Sequence, residues 1–246
     1  MKIIEHQLNI PPDYQYKALK HGHPFQKQWH KNRLILSEIL FNFKKNDYLC
    51  DVGCGSGNTI FAFYQRVKRC DGCDYNKNCL KFIKKKVASE KVNNVRLFNW
   101  DILKPPPKQI YGLYNKVIIT EVIEHFDQSG VKKVLKNLKK ILRRDGELLI
   151  TTPNCGFGPW LMFEFFIDKF NLFPKLWGEQ HKIRLTKSSL ITLVKDSGFK
   201  IIKVGTFSLL SPFAIIFGSI FADWLAKKEI EHLKYLGPQL FIFLRK

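Results

Sequence analysis

Apolar positions change their spacing repeatedly along the chain, and each change marks an element. Leu34, Ile35, Ile39 and Leu40 recur at helical spacing inside a polar N-terminal stretch. The run from Tyr48 to Val52 reads as a short strand, ended by Gly53-Cys54-Gly55-Ser56-Gly57. A helix over 59–66, a strand over 70–73 ending at Asp74, a helix over 77–87 and a strand over 95–98 follow. Beyond Pro105-Pro106-Pro107 the pattern predicts a strand over 116–120, a basic amphipathic helix over 131–142 and a strand over 146–152. Strands alternating with helices imply βαβ units on a parallel sheet, hence an α/β fold.

The pattern shifts after Pro153. Residues 154–185 form an aromatic insert that holds Phe157, Trp160, Phe163, Phe165, Phe166, Phe170, Phe173 and Trp177. Thr186 suits the N-cap of a helix that Gly198 stops. A strand over 200–207, an apolar insert over 208–236 with a mixed-charge helix from 223, and a strand over 239–244 complete the pattern. No linker divides it, so residues 1–246 read as one domain whose first 45 residues form a lid. Val204 to Ala222 carries no charge and reaches the length of a membrane span. Pro212 and Gly218 interrupt it, however, and the last strand has to return to the same sheet. The insert is therefore a cap over a pocket or a hairpin lying in a membrane interface.

An apolar share of 45% excludes a disordered chain. Lysine and arginine number 41 against 21 acidic residues, a net charge of +20 that favours an anionic membrane surface, nucleic acid or an anionic substrate. Lys81, Lys84, Lys85 and Lys86 share one predicted helix; Lys132, Lys133, Lys136, Lys139, Lys140, Arg143 and Arg144 lie on or just after another. Such helices are solvated faces or contacts for lipid head groups and phosphates. Six cysteines crowded into predicted strands and turns fit a reducing compartment, and the first residues lack a signal-peptide stretch. The expected location is cytoplasmic, peripheral at the inner membrane face if the hairpin touches lipid.

Glycines between a strand and a helix let backbone approach a ligand closely. Here Asp51 precedes Gly53, Gly55 and Gly57, and Asp74 follows 17 residues after Gly57, at the end of the next strand. A carboxylate there can hold two ribose hydroxyls, and Asp101, ending the third strand, can accept from an adenine amino group. A dehydrogenase fingerprint would need glycine three residues after Gly55, where Asn58 stands.

In these segments the chain resembles class I S-adenosylmethionine-dependent methyltransferases. Tyr48 to Gly57 is similar to the first motif of that family, Gly72-Cys73-Asp74 to the second, Asn99-Trp100-Asp101 to the third and Lys116 to His125 to the fourth. The resemblance implies a Rossmann-like, seven-stranded, mostly parallel sheet with an antiparallel C-terminal hairpin, helices on both faces and the inserts as a cap. It implies S-adenosylmethionine as cofactor, held by Asp51, Gly53, Gly55, Gly57, Asp74, Tyr75, Trp100, Asp101 and Thr120.

Glu121, Glu124 and His125 form E-x-x-E-H just past a strand, and His181 lies in Glu179-Gln180-His181. On a helical turn Glu121 and His125 would face one point. Two carboxylates and two imidazoles suit Mg²⁺ or another divalent metal, which would orient an acceptor hydroxyl and lower its pKa. Without metal, Glu121, His125 and His181 remain catalytic candidates, with His125 or His181 as general base. The segment also resembles ubiquinone-type O-methyltransferases and small-RNA 2′-O-methyltransferases. The first reading is O-methylation of an apolar or lipid-linked small-molecule acceptor at a membrane surface. An RNA methyltransferase, or a donor-binding scaffold without turnover, is the alternative.

Overall fold

Central strands here are apolar on both faces, so the chain has to cover both. The computed structural model describes residues 11–159 and 181–246. Seven strands form one sheet: β1 (Tyr48–Val52), β2 (Arg69–Asp74), β3 (Leu97–Asn99), β4 (Tyr114–Thr120), β5 (Leu142–Pro153), β6 (Lys200–Phe207) and β7 (Gln239–Arg245). Their order is β3-β2-β1-β4-β5-β7-β6. The first five run parallel, and β7 lies antiparallel to both neighbours. This is the Rossmann-like mixed sheet expected.

The helices described are α1 (Tyr14–His21), α2 (Pro24–Phe41), α3 (Asn58–Phe63), α4 (Lys77–Ser89), α5 (Gln128–Ile141), α6 (Lys187–Lys195) and α7 (Ser219–His232). Side chains alternate along each strand. Val52, Val117, Ile119, Leu148, Ile150 and Ile242 meet α5 and α6 in one layer. Leu49, Ile118, Leu149, Phe241 and Phe243 meet α2, α3, α4 and α7 in the other. Each fully buried side chain contributes about 1.5–3 kcal/mol. The same alternation puts Cys70 in one layer and Cys73 in the other, so their C-x-x-C spacing does not converge on one metal. All six cysteines are free.

Local chemistry accounts for where elements begin. Asp127 accepts from the Gly130 N–H at 2.7 Å, so α5 starts three residues before the apolar periodicity. Thr186 and Ser189 form a capping box at the start of α6. Helix α3 ends at Phe63 and continues as a 3-10 turn over Tyr64–Arg66. Helix α7 starts at Ser219, so it takes in the end of the uncharged stretch. Most of the aromatic insert, Trp160 and Trp177 included, lies outside the described residues. Among the described residues no helix is long and apolar enough to cross a membrane.

The direction of strand addition reverses between β1 and β4. In an open α/β sheet, this switch point leaves a crevice at the carboxyl strand ends. The glycine turn and the E-x-x-E-H segment both leave the sheet there.

Candidate functional site

The crevice begins at the turn between β1 and α3. Gly53, Gly55 and Gly57 all adopt left-handed backbone, with φ of 74°, 48° and 81°. At Gly53 a Cβ would also lie 2.5 Å from Val122 Cγ2, so this position is closed to any side chain. Asp74, at the end of β2, accepts from the Gly55 and Asn76 N–H groups, each at 2.8 Å. Burial raises its carboxyl pKa, and those N–H groups oppose the rise. The carboxylate therefore ties the glycine turn to β2.

Asp51 is buried, and its Oδ1 has no hydrogen-bond partner among the described residues. Burial pushes its carboxyl up to about 7; nearby Thr59 pulls it down and the Asp74 charge adds to the rise. Asp51 lines a cavity together with Gln15, His30, Arg33, Asn58 and Thr120. The buried Asn58 Oδ1 is likewise unpaired there. Two orphaned acceptors on one cavity wall mark a place for a donor-rich or cationic guest, since buried polar groups otherwise find partners.

The N-terminal segment covers this wall. The Gln15 N–H donates to Ser56 Oγ at 3.2 Å, and the Asn58 side chain donates to the Gln15 carbonyl at 2.9 Å. These contacts span more than forty residues of sequence. The sequence placed Gln15, His30 and Arg33 in an N-terminal lid without giving their contacts, and only the tertiary fold brings them to this cavity. The His30 pKa falls to about 3 through burial and the Arg33 charge, so the ring is neutral at pH 7.

The rest of the expected cofactor set is distributed unevenly. Tyr75 is about one-third exposed beside Asp74. Trp100 is buried; its N–H donates to the Asp74 carbonyl, and its indole donates to the Lys104 carbonyl, each at 3.0 Å. It packs in the core layer that holds α5 and α6. Asp101 is half-buried and accepts from the Leu103 N–H at 3.0 Å. Asn99 donates to the Asp74 and Tyr75 carbonyls at 3.0 and 2.8 Å, a bracing role the sequence did not announce.

Past β4 the expected helical turn is replaced. Glu121 is left-handed, with φ of 53°, and its N–H is held by the Thr151 carbonyl at 3.0 Å. A 3-10 turn over Ile123–His125 follows. Glu121 thereby turns to Arg33, 3.4 Å away, and accepts from the Thr151 hydroxyl at 3.2 Å. It does not join the other three. Glu124, His125 and His181 do come together, each offering a ligand atom within 4.8 Å of the others. The Lys182 N–H donates to the Glu124 carbonyl at 2.9 Å, which brings the 181–185 segment alongside. Glu124 is buried and accepts from the Thr152 hydroxyl at 3.1 Å. Burial and the Glu121 charge raise its carboxyl pKa. His181 is lowered to about 4 by burial, His125 and Arg184. A carboxyl that resists ionisation beside neutral imidazole suits a divalent cation, whose charge would offset the burial of the carboxylate.

Residues 49–146 match the family model described as a methyltransferase domain. The matched segment, with its glycine turn and sheet order, is thus similar to a methyltransferase domain. The match includes the glycine turn, Asp74, Asp101 and the segment from Glu121 to His125. A putative methyltransferase from Bacillus halodurans C-125 shares the fold at 15% identity, over 86% of this chain and 96% of that one, with a TM-score of 0.58. A SAM-dependent methyltransferase from Aquifex aeolicus does so at 13% identity, over 94% and 97%, with a TM-score of 0.59. A small RNA methyltransferase, HEN1, matches at 17% identity and a TM-score of 0.60 over 89% of this chain and 25% of that one. These identities carry the fold alone. No curated protein matches the sequence.

Proposed function

We propose that this methyltransferase moves the sulfonium methyl of S-adenosylmethionine onto a hydroxyl oxygen of an apolar or lipid-linked acceptor at a membrane surface. The grouping of Glu124, His125 and His181 beside the donor crevice carries the reading. A methyl donor of this kind is already activated, so the protein mainly supplies alignment, worth on the order of 7–11 kcal/mol in favourable cases. A hydroxyl acceptor also has to lose its proton or have its oxygen polarised. An imidazole held near pKa 4 is a poor base at pH 7 and a good ligand. This favours His181 as a metal ligand over His181 as general base. A divalent cation held by Glu124, His125 and His181 would act as a Lewis acid on the acceptor oxygen, so that its proton passes to solvent as the methyl moves and the donor leaves as the neutral sulfide. Glu121, paired with Arg33, balances the charge beside that set.

Asp51 and Asp74 meet the cationic donor on the opposite side. Asp51 presents an unpaired buried oxygen, and the Asp74 carboxylate is fixed at the end of β2 by the Gly55 and Asn76 N–H groups. The uncharged stretch between β6 and β7 supports an apolar acceptor. A second reading, an RNA ribose hydroxyl as acceptor, is favoured by the same three-residue cluster and by the net charge of +20.

The test incubates the protein with methyl-labelled donor and a cell lipid extract, or total small RNA, and identifies the product by mass. Label on a lipid hydroxyl, lost in excess chelator and restored by Mg²⁺ or Mn²⁺, is the expected result. Label in RNA alone selects the second reading. Full transfer in excess chelator removes the metal from the mechanism.

A further inference from the structure

The segment between β6 and β7 folds into a short hairpin. A 3-10 turn over Ala214–Phe217 leads through Gly218, at φ of 105°, into α7. A Cβ on Gly218 would meet nothing within 4 Å, so the tip projects freely. Apolar side chains crowd this tip. Ile216 is 79% exposed, Phe217 74%, Ile220 86% and Trp224 51%, and Leu210, Phe213 and Phe221 are also exposed. Phe217, Phe221 and Trp224 form a row, with ring centroids 6.1 and 5.6 Å apart. Scattered exposed apolar residues are ordinary; seven within fifteen residues are not.

The hairpin is anchored firmly behind its tip. Phe213 packs edge-on to Phe25 of α2 at 4.8 Å, and Asp223 pairs with Lys31 at 2.6 Å. Buried Glu229 accepts from the Leu209, Leu210 and Ser211 N–H groups and from the Ser211 hydroxyl. The exposed row is therefore a rigid feature of the fold. It also adjoins the site: Asn32 donates to Ser208 and Ser211 at 3.0 and 2.9 Å, and its neighbour Arg33 pairs with Glu121.

We propose that the tip from Leu210 to Trp224 is an interfacial wedge that seats the protein on an anionic lipid bilayer. The inference rests on the membrane-surface reading above and names the surface that makes the contact. Apart from Asp223, which is turned back to Lys31, the wedge side chains are uncharged and rich in aromatic rings, which settle at the boundary between head groups and acyl chains. Exposed Lys227 and Lys228 follow directly on α7, in a chain of net charge +20. That charge is drawn to anionic head groups, whereas two copies of this chain facing each other would repel. Docking in this orientation presents the acceptor side of the site to the membrane, so an acceptor can reach it without crossing water.

The test is vesicle flotation at physiological salt with the full chain, using phosphatidylglycerol–phosphatidylethanolamine vesicles and pure phosphatidylcholine vesicles. We expect flotation with the anionic vesicles, a blue shift of tryptophan emission that Trp224→Phe removes, and at least a tenfold loss of bound protein in the Ile216→Asp, Ile220→Asp double variant. Both substituted side chains are exposed, so thermal stability and donor affinity by calorimetry stay at wild-type values. Undiminished flotation of the double variant overturns the proposal. So does failure of the wild type to float, or a wild-type dimer that the double variant turns into monomer. Flotation without any methyl product leaves the wedge standing and removes the reading of the acceptor instead.

Discussion

Replacing Asp51 by Asn should stabilise the fold and damage donor binding, and the two effects share one cause. In the native state the carboxyl is buried, and its pKa rises from 3.8 to about 7. A carboxyl with a raised native pKa takes up a proton on folding. Stability is then retained below 3.8, falls as pH rises from 3.8 to about 7, and is level above that. At about 1.4 kcal/mol per decade of proton activity, the interval amounts to about 4 kcal/mol. Relaxation and water entry around the ion reduce this, so about 2 kcal/mol is expected. Urea denaturation of the wild type and Asp51→Asn at pH 5 and pH 8 measures it. The stabilising effect of Asn should be clearly larger at pH 8, where it reaches about 2 kcal/mol, or a melting temperature higher by roughly 4–8 °C. Calorimetry with S-adenosylmethionine should show at least a tenfold loss of affinity, because a neutral amide no longer offsets the positive charge of the donor. The reasoning fails if Asp51→Asn is less stable than wild type at both pH values, or if donor affinity is unchanged.

Glu229→Ala should destabilise the protein by about 3–5 kcal/mol, because it strands the buried Ser211 N–H and hydroxyl and also releases the partly buried Leu209 and Leu210 N–H groups. Denaturant titration checks this, and a substantially smaller loss in Glu229→Gln, which keeps one accepting oxygen, would confirm the cause. His30, lowered to about 3 from 6.5, binds no proton in the native state across that interval while the unfolded chain does. Wild-type stability should therefore carry a loss of about 2 kcal/mol between pH 6.5 and pH 5 that His30→Gln lacks, read from melts at the two pH values.

The sheet was legible because its strands are short apolar runs closed by glycine, aspartate or proline, and the helices between them bury one stripe each. The glycine turn and Asp74 were legible for the same reason: their roles depend on strand ends, which local pattern marks. The E-x-x-E-H spacing read as a helical turn, but a left-handed Glu121 held by Thr151 breaks that periodicity. Backbone held by a strand thirty residues away overrides local spacing, so Glu121 went to Arg33. Gln15 and Arg33 were invisible as site residues, because α1 and α2 reach the glycine turn only after the sheet has formed. The capping role of Asp127 extended α5 beyond its apolar stripe, since a polar cap adds residues that periodicity does not count.

Strand β7 has a further consequence for how the chain is assembled. It lies between β5 and β6, so β6 has nothing to pair with until the residues from Gln239 to Arg245 have been synthesised. During translation the first five strands can zip together as they emerge, while the hairpin tip and the lone edge of β6 wait in the open. A nascent chain stalled before Gln239 would display unpaired backbone beside exposed aromatic rings, which is a substrate for chaperones and a seed for aggregation.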